Sequence, residues 1–247
     1  MQNLQKIFTE TPPENAVSYF WFINDVMDVD VLKKQLHDMY DHHVRSVCLH
    51  PIPPEFRPQK MPTKMKPKYL SPEYFAIIAE IVQECEKLGM HYFLYDEGGW
   101  PSGGACGQVL KAHPEYARQV LQVREHLFPA GSLYQKTSPD VLAAFVCGDR
   151  LVEEGTAFAE ETPVEEYSIR LDNNGGADYP DLLNKDATEY FIKITHDGYA
   201  SVLGDEVAAV FTDEPKAPYM ALNEELIQRY EQAYVESIVP YLPLLAG

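Results

Sequence analysis

Apolar residues fall into short continuous runs, separated by segments in which they recur at helical spacing. The run VSYFWFI at 17–23 has strand length and aromatic character, and Asn24 and Asp25 close it with turn chemistry. It predicts a first, buried strand. Asp28 or Asp30 can then cap a helix whose positions Leu32, Leu36, Met39, Tyr40 and His43 share one face, ending near Val44. RSVCLH at 45–50 predicts a second strand, with His50 at its C-terminal end. Further on, Ser71 caps a helix with Pro72 at its first position and Glu73 beside it, Phe75, Ile78, Val82 and Cys85 face inward, and Gly89 stops it. That helix delivers the chain into a third strand, HYFLYD at 91–96. Asn184 caps a later helix carrying Phe191, Ile194, Val202 and Leu203 up to Gly204, and the fourth strand, VAAVFTDE at 207–214, follows. A last helix runs from Asn223 through Leu226, Ile227, Tyr230 and Tyr234 to Ile238, where Pro240 breaks it.

Alternation of strand and helix argues for parallel βαβ units rather than hairpins. The rhythm fails between Arg118 and Asp172, where LQVREHL, VLAAFVCGD and EEYSIRLD alternate with turn-rich gaps such as PAGS and DNNGG. This predicts an antiparallel β excursion after the third strand. The expected fold is therefore α/β: a partial (β/α) TIM-type barrel of about four parallel strands, since a whole barrel typically takes ~250 residues without such an excursion. The expected divisions are 1–117 for three β/α units, 118–172 for the excursion and 173–247 for the fourth unit and terminal helix, all within one structural domain. The stretch 51–70 holds Pro51, Pro53, Pro54, Pro58, Pro62 and Pro67, which exclude helix and central strand. It is a stiff loop, and it gathers Arg57, Lys60, Lys64, Lys66 and Lys68 against Glu55 alone. Two readings suit it: a lid that tolerates anionic groups, or a solvated brace.

Charge narrows the partners. A net charge of -18 repels phosphate backbones and anionic lipid, so neither nucleic acid nor a membrane is an expected partner. Cys48, Cys85, Cys106 and Cys147 form no CxxC pair and no zinc-like spacing, so they are expected to be reduced thiols with no metal. The first residues carry no apolar core of signal-peptide length, which predicts a soluble, cytoplasmic chain. DNNGGADYPD superficially suggests a calcium loop, yet Leu183 stands where the twelfth-position acid belongs, so a plain turn is expected.

Candidate chemistry concentrates in two stretches. YDEGGWPSGG at 95–104 follows the third strand, and FTDEP at 211–215 ends the fourth. Strand C-termini of a barrel share one mouth, so Asp213 and Glu214 become neighbours of Asp96 and Glu97 there. Cleaving a glycosidic bond needs two carboxyl groups about 5 to 9.5 Å apart, which makes Glu214 the candidate general acid with Asp213 in support. Trp100 offers a flat apolar face for a sugar ring, and Gly98, Gly99, Gly103 and Gly104 let backbone approach a ligand. Ser102 in the same loop, with His50, Asn24 and Asp25 at the other strand ends, completes the candidate substrate-binding set alongside Asp96 and Glu97. Each has a bland alternative: a salt-bridged pair for Asp96 and Glu97, a capped core for Trp100 and a satisfied structural group for His50.

FWFIND, YDEGGWPSGG, YPDLLNKDATEYF and FTDEP together resemble the bacterial α-L-rhamnosidase-like glycoside hydrolases. The resemblance implies a β/α-barrel catalytic domain longer than this chain, often followed by β-sandwich modules, with a second catalytic carboxylate on a later strand. Glu214 resembles the acid/base glutamate that many barrel glycosidases carry after the fourth strand, with Asp213 in place of an asparagine. Calcium is implied by family analogy only, and no cofactor is otherwise expected. The functional expectation is a glycoside hydrolase-like protein acting on or binding a glycan. The alternative is a non-catalytic half barrel that binds carbohydrate or completes its site with another half, as a homodimer or with a partner covering the open sheet edges.

Overall fold

The computed structural model describes residues 4–9, 17–172, 179–204, 207–215 and 220–246. In chain order they form α1 (Leu4–Thr9), β1 (Tyr19–Ile23), α2 (Val29–Asp41), β2 (Ser46–Pro51), α3 (Pro72–Leu88), β3 (His91–Tyr95), α4 (Gln108–Ala112), β4 (Gln119–Phe128), β5 (Val141–Val146), β6 (Arg150–Leu151), β7 (Thr162–Leu171), α5 (Lys185–Ile194), α6 (His196–Ala200), β8 (Val207–Phe211), α7 (Glu224–Tyr234) and α8 (Leu242–Ala246). The fold is mixed α/β, with a parallel sheet ordered β1-β2-β3-β8 and a separate antiparallel sheet ordered β4-β7-β5-β6. Beside the expected boundaries stands a division into two compact units, one of 1–112 with 188–216 and the other of 113–187 with 217–247. Among the described residues the parallel sheet ends at β1 and β8 without closing.

In the first unit the helices cover one face of the parallel sheet. Trp21, Ile23, Val47, Leu49, Tyr92 and Leu94 alternate onto that face and pack with Leu32 and Leu36 of α2 and with Ile78, Ile81, Val82 and Cys85 of α3. Burying each such aliphatic side chain contributes about 1.5–3 kcal/mol, so this layer is the main core. The capping signals act as the sequence predicts. Asp28 accepts the Val31 N–H at 3.0 Å, Ser71 accepts the Tyr74 N–H at 3.2 Å, and Gly89 closes α3 with φ 67°.

Four expectations change, three of them in the elements around the parallel sheet. The first strand is buried on one face only: Phe20 and Phe22 stay 47% and 49% exposed, because the helices pack on the Trp21–Ile23 side. The helix after β1 ends at Asp41 rather than Val44, since His43 turns to φ 68°. The segment after Asn184 is two helices rather than one, broken at Thr195, whose hydroxyl donates back to the Phe191 carbonyl at 2.7 Å. That break lets Gly198 meet Phe75, where an added Cβ would stand 2.5 Å from the ring, and it turns Tyr199 into the core.

In the second unit, β4 pairs with β7 over its whole length, and Leu121, Ala143, Phe145 and Tyr167 pack with Leu222, Ile238 and Leu242. The last helix stops at Tyr234, not Ile238, because Val235 takes φ 57° and Ile238 turns into this core. Arg118 and Asp172 form a buried ion pair at 2.5 Å, and Asn223 donates to Asp181 at 2.8 Å while capping α7. Both acids at the ends of DNNGGADYPD are thus engaged within the chain, and its middle, 173–178, lies outside the described residues. No helix among the described residues is long and apolar enough to cross a membrane.

The hydroxyls of Tyr74 and Tyr199, both buried, meet at 2.8 Å. Tyr199→Phe leaves the Tyr74 hydroxyl short of that partner, and urea unfolding is expected to show a loss of about 1–3 kcal/mol with an unchanged m-value.

Candidate functional site

The loop after β3 is built around one carboxylate. Glu97 is 2% exposed. Its Oε1 accepts the N–H of Gly98 at 2.8 Å and that of Cys106, and its Oε2 accepts those of Gly103, Gly104 and Ala105 at 3.1, 2.9 and 2.8 Å. Bringing these donors to one point requires left-handed backbone at Gly99 (φ 82°), Ala105 (φ 50°) and Cys106 (φ 53°). At Gly99 there is also no room for a side chain, since a Cβ would stand 2.3 Å from the Phe56 ring. Burial pushes the Glu97 carboxyl up to about 7, while the N–H groups of Gly98, Cys106, Ala105 and Gly104 pull it back.

Asp96, 1% exposed, ties the loop to the end of β8. Its Oδ1 accepts the Ser102 hydroxyl at 2.6 Å, and its Oδ2 accepts the Thr212 hydroxyl at 2.7 Å and faces His196 Nε2 at 3.3 Å. Ser102 in turn accepts the Asp213 N–H at 2.8 Å and donates its own N–H to the Asp213 carbonyl at 2.7 Å. The Tyr95 hydroxyl donates to Asp213 Oδ2 at 2.5 Å. Asp96, Ser102 and Asp213, named from the sequence, are therefore brought together, and Tyr95, Thr212 and His196 join them. Thr212 and Tyr95 flank the named acids and could have been flagged by position. His196 carries no local signal, because only tertiary packing brings α6 to β3.

On the face away from the helices, strand register lines up aromatic rings. Phe22 pairs with His50 across β1 and β2, and Tyr95 with Phe211 across β3 and β8. Phe22 stacks on His50 with centroids 4.7 Å apart, His50 on Tyr95 at 3.6 Å, and Tyr95 on Phe211 at 5.8 Å and 12°. Phe20 meets His50, Tyr95 and Phe211 edge-on. Trp100 lies edge-on to His50 at 5.7 Å and against Phe56 at 4.7 Å, and Arg57 stacks over both Phe56 and Trp100. His50 faces the Gly99 carbonyl through Nε2 at 3.1 Å, a geometry that assigns the proton to Nε2. Burial lowers this imidazole to about 4, against the Gly99 carbonyl and the Asp213 charge, so it is neutral near pH 7.

The remaining named residues lie at the rim. Asn24 and Asp25 are exposed after β1, with Asp25 accepting the Val26 N–H at 2.8 Å. Glu214 is exposed and holds φ 42°, in the left-handed region that non-glycine residues seldom occupy. Among the described residues no group of three or more His, Cys, Asp or Glu could hold a metal ion.

No family model and no curated protein matches the chain. Among solved structures it is similar to the rhamnosidase from Novosphingobium sp. PP1Y, at 14% identity and a TM-score of 0.37. The similarity covers 58% of this chain and 13% of that one, so the chain spans only a small part of that protein.

Two measurements check this arrangement. Glu97→Gln puts an amide NH₂ against at least two buried N–H donors, so urea unfolding is expected to show a loss of about 3 kcal/mol or more. His50 sits below its ordinary value of 6.5 in the folded chain, so the native state resists its protonation. Its contribution to stability is present above pH 6.5 and disappears as pH falls toward 4, by about 3 kcal/mol in all. His50→Phe is expected to flatten the pH dependence of unfolding across that window.

Proposed function

We propose that the first unit is half of a (β/α) TIM-type barrel, glycoside hydrolase-like in kind, and that its helix-free face binds a carbohydrate. The observation that carries this reading is the row of rings, with Phe20, Phe22 and Phe211 half-exposed beside Asp213 at the strand ends. A pyranose presents apolar C–H faces and a rim of hydroxyls, and aromatic faces next to carboxylate acceptors answer both. Asp213 Oδ2 is held by Tyr95, and Oδ1 accepts no hydrogen bond among the described residues, which suits it to a sugar hydroxyl. In this reading Trp100 and Ser102 serve the site from the loop, and His50 underlies it as a neutral stacking ring.

Binding is favoured over hydrolysis by the chain alone. The oxygens of Asp96 and Glu97 are occupied by internal donors, which removes them as partners for Glu214 in a two-carboxylate mechanism. Catalysis by Glu214 with Asp213 stands as the second reading, favoured by the strained backbone of Glu214 at a strand end, since such strain clusters at functional sites. Under that reading a second half, from a copy of this chain or another partner, supplies the missing carboxylate along the exposed edge strand β8.

Calorimetric titration of a panel of mono- and disaccharides is expected to find a binder. Phe20→Ser and Phe22→Ser should each weaken it by about 3- to 10-fold. Wild-type affinity in the double variant would sink the proposal. If the chain also hydrolyses an aryl glycoside, Glu214→Gln should abolish turnover, and full activity in that variant counts against the catalytic reading.

A further inference from the structure

The basic loop 51–70 is not accounted for by the aromatic face, and one side of it lines a cavity. The cavity has a volume of about 440 Å³ and lies within the first unit, between the loop, the turn after Cys106 with α4, and α5. Its wall shares no residue with the aromatic face. The size falls in the range of small-molecule sites, about 300–1,000 Å³.

Its lining has a definite chemistry. Lys68 of the loop and Lys111 of α4 bring two ammonium groups from separate elements. Among the described residues neither ammonium makes a hydrogen bond or ion pair, although the protein carries 38 acids against 20 bases. Lys33 with Glu80 at 2.9 Å and Lys87 with Glu84 at 3.0 Å are paired, whereas Lys34, Lys64 and Lys193 are exposed without an ion pair among the described residues. What sets Lys68 and Lys111 apart from the other unpaired lysines is that they line one concavity, in a chain whose net charge is -18. Gln108 and Glu55 add neutral and anionic acceptors, and the ring of Tyr69 with Ile194 gives an apolar wall. Cys106 also lines the cavity, but burial pushes its thiol up to about 12, so it serves as a wall and not as a nucleophile.

We propose that this cavity binds a small hydroxylated organic anion. Its carboxylate or phosphate is held between Lys68 and Lys111, and its hydroxyls are taken by Glu55 and Gln108. The two lysines supply the attraction, because charge-assisted hydrogen bonds to an anion are roughly twice as strong as neutral ones. Glu55 sets the other end of the ligand, since a second anionic group there would be repelled. The acidic field of the rest of the molecule then acts as a filter, favouring compact anions over polyanions, which meet repulsion outside the cavity.

Calorimetric titration of the full chain with glucose 6-phosphate, D-glucuronate and neutral D-glucose tests this. The two anions are expected to bind saturably and glucose to bind at least about tenfold more weakly. Lys68→Gln and Lys111→Gln, both on solvent-facing elements, should each weaken anion binding by about tenfold while leaving the thermal midpoint unchanged. The proposal is overturned if neither anion binds up to about 10 mM, if glucose binds as well as the anions in the Phe20→Ser/Phe22→Ser double variant, or if both lysine variants bind like the wild type.

Discussion

A carboxylate offers about four lone-pair sites, and the loop after β3 converges five N–H donors on those of Glu97. Glu97 gathers the N–H groups of Gly98 and of the consecutive residues Gly103 to Cys106, which folds the segment back on itself. Everything else near the strand ends inherits its position from that closure. It sets the Gly99 carbonyl against His50, presses Gly98 against Pro53 and Tyr69, and brings Ser102 to Asp96 and Asp213. An unpaired N–H at this depth would cost about 1–3 kcal/mol, so the acid and the donors hold each other in place. The glycines are the permissive part of the device, and Glu97 is the directing part.

The parallel sheet then has two faces of different kind. The helix side is an aliphatic layer in which Leu36, Val47, Ile78 and Ile81 are sealed from solvent. The other side is aromatic, with rings stacked across β1, β2, β3 and β8; Phe20, Phe22 and Phe211 stay about half-exposed while His50 and Tyr95 are buried beneath them. Aromatic stacking tolerates that exposure better than an aliphatic layer does, because tilted and stacked ring pairs add about 0.5–1.5 kcal/mol beyond the area they bury. His50 is the hinge between the two descriptions: buried, neutral and sandwiched between Phe22 and Tyr95, it behaves as one more ring.

Charge divides the same unit. The proline-stiffened loop turns Arg57 over Phe56 and Trp100 and Lys68 into the neighbouring cavity. A single basic segment in an acidic chain thus serves two surfaces, and the prolines hold it in one conformation while it does so.

Much of the scaffold was legible along the chain. Capping at Asp28, Ser71, Asn184 and Asn223, the left-handed stop at Gly89 and the parallel order of four apolar runs all follow from local chemistry and periodicity, which act over a few residues. That YDEGGWPSGG and FTDEP meet at neighbouring strand ends was legible too, because parallel strands of one sheet bring their C-terminal loops to the same end. The roles inside those stretches were not. Whether Asp96 and Glu97 face a ligand or face the chain depends on where Thr212, His196 and Ser102 lie, and those residues meet only through tertiary contacts. The same holds for β1: its run VSYFWFI specifies an apolar strand, but only the side on which α2 and α3 dock decides that Trp21 is core and Phe20 is surface. Periodicity determined the elements of this protein, and long-range packing decided which carboxylates hold the fold together and which rings remain open to solvent.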